Sequence, residues 1–307
     1  MLCLDNGGGG VYYIALAFRG EDHDTTHLNQ FFHIECELAG DMDKAISVAE
    51  GYIVTIIWHF LEKHAPVVST FARTTMHLQD ILSLYAGHSN KLPHIMLDEA
   101  LALSTMPNDG WEYVILEWPE LGHRLTRKGE QALISHFCGA LWVTEMDHMS
   151  VPFYQAYWDE GKEKALCTDL LIGLGKTLGL GQWHVHTEDV ENTILDHSID
   201  NGLRTYDWYI NLCHNKLLQT SGWGLGLEHF LAWVIRHDDI HNIPLVPMLK
   251  PPSCGLWPCS LGSSVGLWQI ITSLSASFFQ HASYISICTS PLCIYANELF
   301  LQRKLRV

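Results

Sequence analysis

Residues 220–241 constrain the fold of this chain more than any other stretch of its sequence. Three glycines, Gly222, Gly224 and Gly226, alternate with other residues and lead directly into an acid, a histidine and an apolar segment. Glycine has no Cβ, so a strand with this spacing lets a ligand approach the main chain closely. The apolar residues that follow recur at the period of a helix with one buried face. The sequence therefore predicts a glycine-lined strand that leads into a core helix.

Two common glycine motifs do not fit the chain. A dinucleotide fingerprint, G-x-G-x-x-G, fails from Gly222 because the third glycine comes one residue early, at Gly226. From Gly224 it fails because the required position holds His229. The segment GLGKT at 173–177 resembles the end of a phosphate-binding P-loop, but the first glycine of that loop is replaced by Leu170. The sequence therefore argues against both of these nucleotide-binding loops.

A second informative stretch lies near the start of the chain, where residues 28–38 alternate clearly. One face carries Phe32, Ile34, Cys36 and Leu38, and the other carries Phe31, His33, Glu35 and Glu37. This period of two predicts a strand, paired with a strand over 11–19 through the loop 20–27. The second face is either a solvated sheet surface or a ligand-binding surface, and alternation alone does not decide between them.

The remaining elements predict an α+β fold, in which an antiparallel sheet is flanked by helices. Asp41 is a candidate N-cap for a helix of about six turns that packs on the sheet. Further helices are predicted around 70–86, 125–137, 187–197 and 206–214. Further strands are predicted at 111–116, 140–146, 151–158 and 167–175. Scattered histidine pairs, such as His184 with His186, are interpreted as chance pairings, so no metal site is predicted.

Composition limits the partners of the chain. Its 34 acidic residues outnumber 18 lysines and arginines, which gives a formal net charge of −16. Such a chain has no broad electrostatic footprint for nucleic acid. No signal peptide or membrane span is evident at the start, and the nine cysteines are odd in number and irregularly spaced. We therefore expect reduced thiols, a cytoplasmic location and no membrane partner.

The composition of the sequence changes after Lys250. This change divides the chain into a domain over 1–250 and an irregular, uncharged tail over 251–307. Residues 251–297 contain no Asp, Glu, Lys or Arg and show no persistent period. Two C-x4-C pairs in this tail allow a zinc site, although the spacing departs from the usual C-x2-C, and a membrane span is the other specific alternative. We favour a loosely packed tail.

Two segments together resemble a known family. Phe18-Arg19-Gly20-Glu21, followed by HLNQFFHIECE at 27–37, is similar to motif 2 of class II aminoacyl-tRNA synthetases in the aspartate/asparagine/lysine subgroup. GLGLEHFLAWVIRHDDIH at 224–241 is similar to motif 3 of the same subgroup. The resemblance covers roughly residues 10–250 and is closest to the asparaginyl-type catalytic domain and the related asparagine synthetase. Its fold is an antiparallel sheet flanked by helices.

The resemblance implies a reaction and a set of site residues. The family joins the carboxylate of an amino acid to the α-phosphate of ATP, giving an aminoacyl adenylate and pyrophosphate. Catalytic positions fall on Arg19, Glu228 and His229. ATP-binding positions fall on Arg19, Glu21, Phe31, Gly224 and Gly226, with Arg19 on the α-phosphate, Glu21 on the adenine amino group and Phe31 stacked on the ring. Amino-acid-binding positions fall on His33, Glu35, Glu37 and Asp169.

Several positions depart from the family pattern. His229 stands where motif 3 has an arginine, and Lys176 stands where the family has a metal-binding glutamate. Trp183 replaces the arginine that reads the side-chain carboxylate in aspartyl-type enzymes, and Thr26 and Gln30 replace charged residues of motif 2. A lysine cannot ligate Mg²⁺, so use of that ion is doubtful. Loss of one such preorganised charge lowers a rate by about 10²- to 10³-fold, which argues against an efficient synthetase.

From these features we expect ATP-dependent activation of asparagine or aspartate without efficient tRNA charging. The alternative is a non-catalytic relative that keeps the fold and nucleotide or amino-acid binding. No segment before Val11 matches motif 1, which forms the homodimer interface in the family, so we expect an incomplete N-terminus that lacks this interface. The strands at 11–19, 28–38 and 220–226 should be neighbours, with Arg19, Glu35 and Gly224 lining one cavity.

Overall fold

The computed structural model describes residues 9–20, 25–114, 122–215, 217–244 and 247. Within them, the strands are β1 (Gly10–Phe18), β2 (Gln30–Ala39), β3 (His94–Met96), β4 (Trp111–Tyr113), β5 (His123–Leu125), β6 (Ala140–Thr144), β7 (Cys167–Ile172), β8 (Gly175–Gln182) and β9 (Thr220–Gly226). The α-helices are α1 (Met42–Lys63), α2 (Ala65–Ala72), α3 (Met76–Gly87), α4 (Leu97–Leu101), α5 (Arg127–His136), α6 (Thr187–Asp196), α7 (Gly202–Thr205), α8 (Asp207–Asn215) and α9 (Leu227–Ile235).

Seven strands form one sheet in the order β1-β2-β9-β8-β7-β6-β3, and β4 pairs with β5 separately. The sheet is antiparallel except that β3 runs parallel to β6. The three strands predicted as neighbours are β1, β2 and β9, which lie side by side as expected. The α+β class is confirmed. The order matters for function because it places the polar strand β2 directly beside the glycine strand β9.

The two faces of the sheet are covered differently. On one face, the apolar residues of β2, β9, β8, β7 and β6 pack with α1, α3 and α9 into the main core. On the other face, a smaller core with α4 and α5 covers only the β6 and β7 end. The polar and glycine residues of β2, β9 and β8 point to this second face, since side chains alternate along a strand. An open trough is left there.

Helix α1 begins where the sequence predicts. The side chain of Asp41 accepts a hydrogen bond from the backbone N–H of Lys44 at 2.9 Å, which satisfies one of the free donors of the first turn. By length and composition α1 passes as a membrane span, but half of its most apolar window is buried inside the protein. Ala45, Ala49 and Ile53 are fully buried, as in a core helix.

Three sequence predictions need correction. The helix expected over 70–86 is two helices, α2 and α3, because the chain turns at Arg73 with a left-handed φ of 61°. Residues 151–158 are aromatic enough to favour a strand, yet they form a loop that makes only isolated bridges, such as that of Gln155 with Trp183. The strand expected over 167–175 ends at Ile172, and β8, which the sequence did not predict, follows it.

The segment 173–177 illustrates why β8 was missed. Gly173 and Gly175 both have positive φ, 63° and 141°, in the hairpin that joins β7 to β8. Those conformations suit glycine, so the glycines mark a tight turn rather than a phosphate-binding loop. Within β8 itself, Gly179 and Gly181 replace the side chains whose alternation would have shown a strand.

Gly129 of α5 packs against Gly110, in the turn before β4, and this contact allows a prediction about stability. A Cβ on Gly129 would overlap the carbonyl oxygen of Gly110 and lie 2.8 Å from its carbonyl carbon, and backbone atoms cannot move aside easily. We expect Gly129→Ala to lower the free energy of unfolding by about 1–3 kcal/mol, measured by urea denaturation. Gly51→Ala, on the exposed side of α1 with no atom within 4 Å, is the control and should raise it by up to about 1 kcal/mol. Equal midpoints for both variants would contradict the packing.

Three histidines meet beside the loop 151–158. His148 Nε2 lies 2.9 Å from the carbonyl oxygen of Gln155, and His197 Nε2 lies 3.3 Å from His148 Nδ1. His197 donates to His148, and His148 donates to the carbonyl of Gln155. Each ring therefore needs only one N–H, and both hydrogen bonds can form when both rings are neutral. His184 packs against His148, and its burial lowers its pKa to about 4. His186 is exposed and is not part of this cluster.

The buried His184 of this cluster makes the free energy of unfolding depend on pH. In the unfolded chain His184 takes up a proton near pH 6.5, whereas in the folded chain it does so only near pH 4. Its contribution is therefore present above pH 6.5 and is lost as the pH falls toward 4, by on the order of 3 kcal/mol. Urea denaturation across this range should show a smaller loss for His184→Gln than for the wild type. His186→Gln is the matched control and should follow the wild type, and identical curves for all three proteins would refute the assignment.

Candidate active site

A block of four glycines forms the floor of the trough. Gly222 of β9 pairs with Gly181 of β8, and Gly224 pairs with Gly179 in the next row of the same face. Each row ends in polar or thiol side chains: Glu37 and Cys167 flank the first, and Glu35 and Asp169 flank the second. From β2 to β7 the row spans three strand spacings, about 14 Å. The four glycines thus form a flat backbone surface between the carboxylates of β2 on one side and Cys167 and Asp169 of β7 on the other.

The trough opens into a cavity of about 1240 Å³. Arg19, Glu35 and Gly224 all line it, as the sequence predicts. The other predicted site residues that line it are Phe31, His33, Glu37, Asp169, Gly226, Glu228 and His229. Glu21 lies outside the described residues, and so do the four cysteines of the tail and the proposed boundary at 250. The roles assigned to these residues stay predictions, but the fold brings the described ones together.

The cavity face of β2 is a connected polar row. His33 Nδ1 lies 2.8 Å from Glu35 Oε1, and the hydroxyl of Tyr13 on β1 donates to Glu35 Oε2. Burial and the nearby cations Arg19 and Lys176 lower the pKa of His33 to about 4, so its ring is neutral at pH 7. A neutral ring has one N–H to donate to Glu35. Both oxygens of Glu35 are thus engaged by protein donors.

Arg19 and Phe31 meet at the outer part of the cavity. The guanidinium carbon of Arg19 lies 5.3 Å from the centre of the Phe31 ring, within the range of a cation–π contact. The backbone at Arg19 is tied to Asn29 by two hydrogen bonds, N–H to carbonyl in one direction and side-chain amide to carbonyl in the other. The contact places a planar cation over an aromatic ring, a geometry that suits a flat base and an adjacent phosphate.

Glu37 and Trp183 meet at the other end. The indole Nε1–H of Trp183 donates to Glu37 Oε2 at 2.8 Å, and burial raises the pKa of Glu37 to about 7. Trp183 is also perpendicular to the ring of Tyr154, with centroids 5.1 Å apart. Trp183 therefore occupies the position where the resemblance places a substrate-reading arginine. Its indole ring lines the cavity, and its single polar atom donates to Glu37.

Lys176 lies on the opposite wall. Its Nζ lies 2.8 Å from Asp169 Oδ1, and its backbone N–H donates to Glu130 Oε2 at 3.1 Å. Desolvation alone would lower the pKa of Lys176, but Asp169 and the neighbouring Cys167 and Glu130 outweigh it and raise that pKa. About half of the side chain is exposed to the cavity. A permanent cation is thus held at the edge of the glycine floor.

The start of α9 positions two family-like residues. Both oxygens of Glu228 accept from the backbone N–H of Phe32, at 2.9 and 3.0 Å, and burial raises the pKa of Glu228 to about 7. His229 Nε2 lies 2.6 Å from the carbonyl of Thr26, and its Nδ1 lies 3.1 Å from the carbonyl of Lys176. These contacts tie α9 to β2, to the loop before β2 and to β8.

Two residues of this site gave no functional signal in the sequence. Glu130 lies on α5, whose pattern indicates only an amphipathic helix, and burial raises its pKa to about 7. Gln155 was assigned to a strand by its aromatic neighbours, yet its side chain lies over Gly181. Both reach the site through loop and helix packing, which local sequence patterns do not encode.

Comparison with known proteins agrees with this geometry. Residues 2–250 match the family model described as tRNA synthetases class II (D, K and N). The chain belongs to this family. It is similar to the asparagine–tRNA ligase of Thermococcus gammatolerans, with 27% identity over 77% of the chain and 52% of the relative. It is also similar to that of a Roseiflexus species, with 29% identity over 78% of the chain and 53% of the relative.

Solved synthetase structures share the fold. The asparaginyl-tRNA synthetase from Pyrococcus horikoshii, in complex with asparaginyl-adenylate, superimposes with a TM-score of 0.66 and 25% identity, covering 78% of this chain and 52% of that one. An Entamoeba histolytica asparaginyl-tRNA synthetase, at 17% identity and a TM-score of 0.61, also shares the fold. The chain spans about half the length of the relatives that it matches.

Synthetases of this class generally use Mg²⁺ with ATP, but the residues present here do not fit that ion. Hard cations need oxygen ligands, and the expected second ligand is the ammonium of Lys176, which already neutralises Asp169. Among the described residues, no group of three or more His, Cys, Asp or Glu side chains is arranged to hold a metal. The site therefore offers an ammonium at the position where the resemblance predicts a metal-binding glutamate.

Proposed function

We propose that this chain activates an amino acid with ATP, forming an aminoacyl adenylate. The observation that carries the proposal is the single sheet face on which Arg19 over Phe31, the carboxylates of β2 and the glycine floor line one cavity. Family membership and the similarity to a structure titled as holding asparaginyl-adenylate support it. Asparagine and aspartate are the first substrates to test.

In this proposal the residues that line the cavity bind different parts of the two substrates. The adenine ring packs on Phe31, and the guanidinium of Arg19 contacts the α-phosphate. The carboxylate oxygen of the amino acid attacks the α-phosphorus, a P–O bond forms, and the bond to the leaving pyrophosphate breaks. Negative charge builds on the phosphate oxygens, which Arg19 and Lys176 stabilise because they are preorganised cations. The acid-rich face of β2 holds the amino acid.

Efficient charging of tRNA is not part of this proposal. The net charge of −16 gives the chain no broad attraction for the phosphate backbone. His229 in place of a motif-3 arginine also removes a planar cation from the nucleotide site. The cytoplasmic location remains a prediction, and a homodimeric state is a property of the family that is not assigned to this chain.

A second candidate is a non-catalytic family member that binds ligand without turnover. The ion pair of Lys176 with Asp169 and the carbonyl contacts of His229 favour it, because both replace reactive or ion-binding groups with internal contacts. Burial lowers the pKa of His229, although the two carbonyls raise it, so the ring is a weak substitute for arginine. This candidate keeps the cavity and its nucleotide contacts.

ATP–pyrophosphate exchange distinguishes the two candidates. The full chain is incubated with ATP, labelled pyrophosphate, Mg²⁺ and each of the twenty amino acids in turn. Exchange that depends on an amino acid supports activation, and Arg19→Ala should lower it by about 10²- to 10³-fold. Complete absence of exchange together with measurable ATP binding would favour the non-catalytic candidate.

A further inference from the structure

Arg127, at the start of α5, is an exposed cation that lines the cavity. The two cations nearest to it in the sequence are paired, since Arg124 binds Glu112 and Lys128 binds Asp109. By contrast, Arg127 takes part in none of the ion pairs among the described residues. Its guanidinium is therefore available to an anionic ligand in the cavity.

Arg127 lies beside the two positions at which the chain lacks a family arginine. Its Nη1–H donates to the hydroxyl of Thr25 at 3.2 Å. The next residue, Thr26, stands where the resemblance places an arginine of motif 2. The carbonyl oxygen of Thr26 lies 2.6 Å from Nε2 of His229, which stands at the position of the motif-3 arginine. A short series of contacts therefore connects the guanidinium of Arg127 to both substituted positions.

The same helix connects Arg127 to the cation on β8. Glu130, one turn further along α5, accepts from the backbone N–H of Lys176 at 3.1 Å. Burial raises the pKa of Glu130 to about 7, and Lys176 and Arg127 oppose that rise. Because much of Glu130 is protonated at pH 7, it offsets these two cations only in part. Two cations from different elements therefore line this part of the cavity.

This part of the cavity lies away from its acidic end. The glycine strand β9 meets Glu37 of β2 at Gly222, where the amino acid is proposed to bind. At its other end a Cβ on Gly226 would lie 3.7 Å from His229, the residue that contacts the loop held by Arg127. In the proposed reaction the adenine and the α-phosphate already have protein contacts. The two terminal phosphates are the anionic part of ATP that still needs a cation.

We propose that Arg127 is a catalytic residue that binds the two terminal phosphates of ATP, in place of the arginines absent at Thr26 and His229. A guanidinium suits this task because its planar fork of donors matches phosphate oxygens. When the amino-acid carboxylate attacks, the bond from the α-phosphorus to the bridging oxygen breaks. That oxygen keeps the electron pair as part of pyrophosphate, and Arg127 stabilises the added charge. This inference rests on amino-acid activation as the proposed function.

Calorimetric titrations of the full chain with ATP, inorganic pyrophosphate and AMP test this contact. Arg127→Met should weaken the binding of ATP and pyrophosphate by about tenfold or more, because it removes the charge. AMP lacks the terminal phosphates, so its affinity should stay within about twofold of the wild type. The variant should fold, since a cation in the first turn of a helix is unfavourable. Lys128→Met removes the same charge one residue along α5, outside the cavity, and should leave all three affinities unchanged.

The Arg127 contact and activation can fail separately. If Arg127→Met binds ATP like the wild type, or loses affinity for AMP as strongly as for ATP, the contact is wrong, while amino-acid-dependent exchange by the wild type would still support activation. Failure of the wild type to bind ATP or pyrophosphate would also overturn the contact. A selective loss for ATP and pyrophosphate, in a protein that shows no exchange with any amino acid, would support the contact and count against activation.

Discussion

Gly224→Val should lower the affinity for adenine nucleotides by about 10- to 100-fold without unfolding the protein. Gly224 is one of the four glycines of the floor and lies between Glu35 on β2 and Gly179 on β8. A Cβ here would lie 2.7 Å from Cε1 of His33, the far end of a movable side chain, so the fold can adjust. The added methyl groups then fill the space that the ligand needs.

Calorimetric titration with ATP measures this effect, and near-ultraviolet circular dichroism checks that the variant is folded. Gly51→Val adds the same atoms on the exposed side of α1, where no atom lies within 4 Å, and should bind ATP like the wild type. Wild-type affinity in folded Gly224→Val would mean that ligands do not use the glycine floor.

Lys176→Glu should convert a metal-independent nucleotide site into a metal-dependent one. In the wild type, the ammonium of Lys176 stands beside Asp169 as a fixed cation, so ATP affinity in EDTA and in Mg²⁺ should agree within about threefold. The substitution places a third carboxylate near Asp169 and Glu130. Without a metal it should weaken ATP binding by about 10- to 100-fold, because an attractive charge becomes a repulsive one. Mg²⁺ should restore most of the loss, since carboxylate oxygens are its preferred ligands.

Lys176→Met is the matched control for this experiment, because it removes the charge without adding a ligand. It should weaken ATP binding to the same extent with and without Mg²⁺. A strong requirement for Mg²⁺ in the wild type, or equal behaviour of the glutamate and methionine variants, would show that Lys176 does not take the place of an ion.

The sequence predicts the centre of the sheet well because its signals there are local. Alternation along 28–38 separates the buried Ile34, Cys36 and Leu38 from the polar face, and the structure keeps that division. The glycines at 222, 224 and 226 mark β9 because no other residue type allows so close an approach over a strand. The N-cap Asp41 marks the start of α1 for a similarly local reason.

The elements that the sequence does not predict correctly depend on contacts between residues that are far apart in the chain. β8 pairs with β7 and β9 through backbone groups, and its glycines remove the side-chain pattern that would reveal it. The loop 151–158 resembles a strand in composition, but it makes only isolated bridges, Gln155 with Trp183 and Tyr157 with Ala165, instead of a continuous ladder. Gln155 and Glu130 therefore enter the site by tertiary packing alone.

The departures from the family pattern are visible in the sequence, but their consequences are not. The presence of Lys176 predicts a charge reversal, and the structure adds that this cation forms an ion pair with Asp169 while about half of its side chain stays exposed. The presence of Trp183 predicts the loss of a substrate-reading cation, whereas the structure shows that its indole N–H donates to Glu37. Such pairings depend on the register across four strands, which is a property of the fold.

A crystal structure of the full chain with a non-hydrolysable aminoacyl-adenylate analogue tests whether the trough over the glycine floor holds an adenylate. We expect an adenine ring on Phe31, a phosphate-like group on Arg19 and Lys176, and the amino-acid side chain directed at Glu37. An analogue bound elsewhere on the protein, or an adenine ring placed away from Phe31 and Arg19, would contradict it.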